Sequence, residues 1–153
     1  MIDKSFDLMY HGGSPEVPML VARENVHLVW PHISERVGAA IDSVGFYDVD
    51  LFYVEQALLR GEAQLWLSHD AKMLAITRIV RYPMVVRLVI DLIEGENLSN
   101  YTQLLDTIEA WAVGHGATQT EAHLRKGLTK LSQSLGFRHE KNVVYKTIAR
   151  SLN

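Results

Sequence analysis

Residues 61–95 read GEAQLWLSHDAKMLAITRIVRYPMVVRLVIDLIEG, and this stretch decides the fold. Its apolar and β-branched residues come in short runs broken by polar pairs, which is a strand pattern and not a helical one. Residues 63–68 (AQLWLS), 73–81 (MLAITRIVR) and 85–92 (VVRLVIDL) are predicted to be three antiparallel strands. His69-Asp70-Ala71-Lys72 suits a tight hairpin. Pro83 belongs in the turn between the second and third strands, where its missing N–H costs no ladder bond.

Helical spacing flanks this block on both sides. Upstream, residues 19–29 hold a short strand and a turn, and Pro31 suits the first turn of a helix over 32–43. Ile33, Val37, Ala40 and Ile41 share one face of it. Asp50 caps a second helix over 51–60, where Phe52, Gln56 and Leu59 keep helical spacing and Gly61 closes the end. Downstream, Tyr101, Leu104, Leu105, Ile108, Trp111 and Ala112 form one broad apolar stripe, with Ser99 as N-cap and Gly114-His115-Gly116 as the stop. A strand over 118–124, a short helix over 127–135 stopped by Gly136, and a last strand over 142–148 (NVVYKTI) complete the order. The result is an α+β (α/β) sandwich, helices flanking one mostly antiparallel mixed sheet. Residues 11–18 (HGGSPEVP) are the obvious breaker run, so 1–18 is read as an N-terminal segment and loop, and 1–153 as a single domain.

Composition narrows the chemistry. A chain of 153 residues, 48% hydrophobic and 22% charged, has the size and balance to bury one core unaided. It holds no cysteine, which excludes disulfides, thiolate metal sites and thiol catalysis. A net charge of −3 offers no general attraction for nucleic acid or anionic lipid. The start, MIDKSFDLMYHGG, lacks the apolar run of a signal peptide, and nothing reaches the length of a membrane span. The expectation is a soluble, cytoplasmic protein without nucleic-acid or membrane partners. The seven histidines are dispersed, and His27 and His32 miss the helical spacing of a metal pair, so no metal site is expected. Trp30, Trp66 and Trp111 are expected to anchor the core.

Three places in this order resemble the Gcn5-related N-acetyltransferase family, over roughly residues 19–149. Gly61 to Leu67 followed by Met73 to Val80 is similar to the family's central hairpin, and Leu104 to Gly116 (LLDTIEAWAVGHG) to its long helix. Leu128 to Phe137 (LTKLSQSLGF) resembles the short helix ending in Gly-Phe before the last strand. The set Gln64-Leu65-Trp66, Tyr82-Pro83, Ile108 to Ala112, Gly116 and Arg125-Lys126-Gly127 further resembles small acetyltransferase-like proteins encoded by bacteriophages and prophages. The resemblance implies acetyl-CoA as cofactor, an amine substrate, and pairing into a homodimer.

Family members place a Gly-rich cradle with a basic residue before the long helix, where backbone N–H groups hold a pyrophosphate. Here residues 91–101 read DLIEGENLSNY, with one glycine and no basic residue. The candidate cofactor contacts are the backbone of Leu92, Ile93 and Gly95, the turn at Ser99 and Asn100, and the cations Arg125 and Lys126. Those two cations stand against a solvated cap paired to Glu121 or Glu140. Glu94 is the candidate general base, with Asp91 as the alternative, either as base or as partner of an arginine such as Arg87. Tyr145 is the candidate acid for the departing thiolate, against an ordinary strand tyrosine. Two functions stay open: an acetyl-CoA-dependent N-acetyltransferase with a divergent cofactor loop, or a non-catalytic phage-encoded module of the same fold that binds a protein partner in the host cytoplasm or the virion.

Overall fold

The computed structural model describes residues 19–44, 49–68, 71–95, 101–124, 128–140 and 144–148. Five strands form one sheet in sequential order: β1 (Met19–Leu20), β2 (Gln64–Leu67), β3 (Met73–Arg81), β4 (Val86–Gly95) and β5 (Gln119–Ala122). The first four pair antiparallel and β4 pairs with β5 in parallel, so the sheet is mixed, as the sequence implied. Helices α1 (Val26–Val44) and α2 (Leu51–Leu59) cover one face; α3 (Tyr101–Val113) and α4 (Thr129–Ser134) cover the other. Among the described residues no helix is long and apolar enough to cross a membrane.

Each face has its own apolar layer. Val29, Ile33 and Val37 of α1, with Val54 and Leu58 of α2, pack on Leu65, Leu67, Leu74, Ile76 and Leu92. Tyr101, Leu104 and Ile108 of α3 pack on Trp66, Met73, Ala75, Leu88 and Ile90. Trp30 and Trp66 are buried as expected, and half-buried Trp111 meets Trp66 edge-on at 5.5 Å.

Several boundaries differ from the sequence reading, each for a physical reason. α1 begins at Val26, placing Pro31 inside the helix instead of in its first turn. Val26, Val29, Trp30 and Ile33 extend the buried stripe backwards, and that burial outweighs the one hydrogen bond a proline removes. Asp50 caps α2 by accepting from Tyr53 N–H at 2.9 Å, but the buried side of α2 is Val54, Ala57 and Leu58, leaving Phe52 67% exposed. The strand expected over 142–148 is not formed in residues 144–148, which join no ladder. Val144, Tyr145 and Lys146 alternate as a strand does, yet a strand also needs an edge to pair with.

The most consequential difference is in β4, which runs on to Gly95 instead of ending near Leu92. Ile93, Glu94 and Gly95, expected in a cofactor loop, pair with Ala75, Leu74 and Met73 of β3. The register slips once: Ile76 faces Leu92 while Thr77 faces Ile90, so Asp91 is the extra residue of a β-bulge. The bulge reverses the alternation of side chains. Ile90 therefore packs in the α3 layer and Leu92 in the α1 layer, though residues two apart in a regular strand share a face.

Candidate functional site

The parallel pairing of β4 and β5 runs from Arg87↔Gln119 to Ile90↔Ala122 and then ends. One further bond, from His123 N–H to the Ile90 carbonyl at 3.0 Å, closes it. Beyond that point β4 continues through residues 91–95 with β3 on one side and no described strand on the other. The two strands part at the bulge.

A chain of alternating charges lines this parting. Asp91 is only 5% exposed, so its carboxylate requires partners. Arg78 reaches it across β3 with two hydrogen bonds, from Nε at 2.5 Å and Nη2 at 3.0 Å. From the end of β5, the His123 ring sets Nδ1 3.5 Å from Asp91 and Nε2 2.8 Å from Glu121. Glu121 in turn accepts from Arg87 at 3.2 Å. Arg87 also donates to the Gln119 side chain at 2.9 Å and lies 5.2 Å from the centre of the Tyr82 ring. The order is thus Arg78, Asp91, His123, Glu121, Arg87, carried on three adjacent strands and the residue that follows β5.

The charges bias each other's protonation. Burial pushes the Asp91 carboxyl up, but hydrogen bonds and charges from His123 and Arg78 outweigh it and hold the group below its ordinary value of 3.8. The Asp91 and Glu121 carboxylates raise His123 above its ordinary 6.5, against a smaller lowering by burial. At 3.5 Å the contact to Asp91 is long for a hydrogen bond and the one to Glu121 is better formed; both act in the same direction. Asp91 also raises Arg78. Asp91 is accordingly a weak base at neutral pH, and the carboxylates at both ring nitrogens favour the His123 cation.

Glu94 stands elsewhere in the same strand. Its carboxylate is bound by Arg36 of α1, Nε at 3.0 Å with a second, closer contact from Nη2. The same guanidinium holds the carbonyls of Ala71 and Lys72 at the β2–β3 turn. Glu94 therefore faces the pairing with Arg36 and not an open site, and its charge is offset there. Gly95 has a packing reason of its own: a Cβ at that position would lie 2.1 Å from Met73 Sδ and 3.1 Å from the Lys72 carbonyl. Leu92 is 1% exposed in the α1 layer, and Ile93 packs against the α3 layer.

Tyr145 is 88% exposed and touches none of these groups. Ser99, Asn100, Arg125 and Lys126 lie outside the described residues. The arginine that pairs with Asp91 is Arg78 and not Arg87, which pairs with Glu121. His123 escaped the sequence reading altogether. Its signal was Glu121-x-His123, two residues on one face of a strand, set beside Arg87 and Asp91 in β4; it becomes legible once β4 and β5 are known to run parallel.

On the α3 side of the parting, Ile90, Ile93, Tyr101, Leu105, Ala122 and Leu124 line a narrow apolar pocket of about 20 Å³, room for little more than one water. Backbone groups of β4, an apolar wall on one side and a chain of ionisable groups on the other make a site that can hold an extended amide-bearing molecule beside a histidine.

No protein-family model matches the sequence, and no curated protein matches it. Solved structures do. A ribosomal-protein-alanine N-acetyltransferase from Brucella melitensis biovar Abortus 2308 is 12% identical, with a TM-score of 0.64 over 86% of this chain and 99% of its own. A predicted acetyltransferase with acetyl-CoA from Clostridium acetobutylicum is 13% identical, with a TM-score of 0.63 over 85% of this chain and 94% of its own. A GCN5-related N-acetyltransferase from Ralstonia eutropha JMP134 is also 13% identical, with a TM-score of 0.63 over 85% and 97%. At such identities the likeness speaks for architecture, and the architecture of this chain is the Gcn5-related N-acetyltransferase fold.

Proposed function

We propose that the protein transfers an acyl group from an acyl-CoA, acetyl-CoA foremost, to an amine, and that the parting of β4 and β5 is the site. One observation carries the reading: the parallel register ends at Ile90↔Ala122, directly beside the Asp91 bulge and the carboxylate-bound His123. The fit to the acyl carrier rests on backbone. Groups of residues 91–95 that point away from β3 face the gap, and an amide-rich arm is the chemistry that pairs with them. The gap's apolar wall has to move aside for that arm, since its pocket is only about 20 Å³.

When bound, the CoA thioester supplies the activated acyl group. The protein's part is to receive the proton that the attacking amine must lose. Neutral His123, its Nε2 released from Glu121, takes the role first assigned to Glu94, because Glu94 is held by Arg36. Asp91, kept ionised by Arg78, orients the ring and stabilises its cation. Proton return to the leaving thiolate is assigned to Tyr145 only in a state where residues 144–148 have come against β5.

The test is ligand-dependent stability. Acetyl-CoA at about 100 times its dissociation constant should add roughly 2.7 kcal/mol, read as a rise in melting temperature. No rise at millimolar acetyl-CoA would overturn the proposal and favour the second reading, a non-catalytic phage-encoded module of this fold that binds a protein partner.

A further inference from the structure

We infer that the acceptor is a small amino acid zwitterion with an apolar side chain, its carboxylate held by Arg78 and its ammonium by Glu121. The inference rests on the proposed acyl transfer and names the substrate class of that site. The place is the half of the sheet that α1 and α2 leave uncovered. Those helices pack over Leu74 and Ile76 at the start of β3 and Leu92 near the end of β4. Past the Asp91 bulge the same face presents Arg78 and Val80 of β3, opposite Val89 and Arg87 of β4. Ile79, Leu88 and Ile90 point the other way, into the α3 layer.

The charges open to solvent on this face are of opposite sign. Asp91 is buried between Arg78 and His123, and Arg87 is engaged by Gln119 and Glu121. What a ligand meets is the Arg78 side chain at one end, 42% exposed, and the Glu121 side chain at the other, 40% exposed, with the His123 ring between them. Arg78 gives Nε and Nη2 to Asp91. Its Nη1 makes no hydrogen bond among the described residues, so the same guanidinium can take a second carboxylate without releasing the first. Nor does net charge oppose that second carboxylate. With His123 protonated, Arg78, His123 and Arg87 outnumber Asp91 and Glu121.

The spacing selects a small molecule. Arg78 Nη2 and His123 Nδ1 contact one and the same oxygen of Asp91, at 3.0 and 3.5 Å. The two anchors are therefore separated by one carboxylate oxygen and one imidazole ring, and the charges that answer them must sit close together, as the ammonium and carboxylate of an amino acid do. A lysine side chain in a protein brings the ammonium alone and leaves Arg78 unused. An ammonium on Glu121 also competes with the 2.8 Å contact from His123 Nε2, so the substrate itself loosens the ring from that carboxylate.

Two tyrosines border the Arg78 end. Tyr53 of α2 and Tyr82 of the β3–β4 turn are both about half exposed. Asp91 raises Arg78 against a lowering by burial, and the two tyrosines act in the same direction as Asp91, which sets them within electrostatic reach of the guanidinium. Open rings beside a carboxylate anchor suit an apolar side chain.

The test is calorimetric titration of the full chain with L-phenylalanine and L-leucine, each compared with its carboxamide. The free acids are expected to bind about tenfold more tightly than the amides. Arg78→Lys, whose ammonium stays on Asp91, should bring acid and amide within about twofold of each other, while Glu121→Gln should weaken both alike. Circular dichroism melting checks that each variant folds. Free acids that bind no better than their amides, or not at all, would overturn the inference, as would a preference that survives Arg78→Lys. The melting response to acetyl-CoA, read on the same protein, separates the two layers. A response to acetyl-CoA without preference for the free acids removes this inference and leaves acyl transfer standing; amino acid binding without that response removes the acceptor role together with acyl transfer.

Discussion

Two arginine–carboxylate pairs sit three residues apart in β4, and they do different things. Arg36 holds Glu94 and the carbonyls of Ala71 and Lys72, tying α1, the β2–β3 turn and the end of β4 together. That cluster joins three elements through one guanidinium, so it is a clamp. Arg78 holds Asp91, but Asp91 also faces His123, which faces Glu121, and the two carboxylates raise that histidine above its ordinary 6.5. On the proposed function the same pairing chemistry is structural in one place and proton-handling in the other, and a single bridging histidine makes the difference.

Substitutions at the two clusters test that contrast, beginning with the largest expected effect. His123→Gln should lower the acyl-transfer rate by roughly 10²–10⁴-fold, the usual worth of a positioned base, while Glu94→Gln changes it by less than about threefold. Equal losses in a steady-state assay of the two variants would erase the distinction. Asp91→Asn leaves the half-exposed Arg78 and His123 facing a neutral group, and should cost about 1.5–3 kcal/mol in urea unfolding, the usual worth of hydrogen bonds to a charged group. Glu94→Gln, in a pair that is about a third exposed, should cost nearer 1 kcal/mol. Gly95→Ala sets a methyl against Met73 Sδ and should cost about 1–3 kcal/mol, much of which disappears in a Met73→Ala background.

The smallest effect is on pH dependence. A raised His123 adds stability that is complete below its ordinary 6.5 and is lost as pH rises through its folded value. The stability gap between wild type and His123→Gln should therefore narrow from pH 6 to pH 8. The lowered Asp91 works in the opposite sense, its contribution present above 3.8 and lost as pH falls through its folded value. A gap that widens with rising pH would mean that His123 is held neutral.

Much of the architecture was legible in the residues. β3 has the boundaries that its β-branched run predicts, and α3 has the stripe its spacing predicts. β4 was cut short because Glu94 and Gly95 read as loop residues; Arg36, far away in sequence, makes a strand glutamate acceptable, and Met73 crowds any side chain at the glycine. The bulge left little trace in VVRLVIDLIEG beyond one aspartate in an apolar run, and without it the faces of residues 91–95 cannot be assigned. His123 was illegible for a related reason. Its partners lie on a neighbouring strand in a parallel register that only the fold supplies.

The most direct measurement is an acetyl-CoA titration of the isotope-labelled protein followed by backbone amide chemical shifts. The account predicts that the largest changes fall on residues 91–95 and on Ala122 to Leu124, either side of the parting, with the His123 ring shifting alongside them. Saturating acetyl-CoA that leaves those amides unmoved, or that moves a cluster on another face of the sheet, would contradict it.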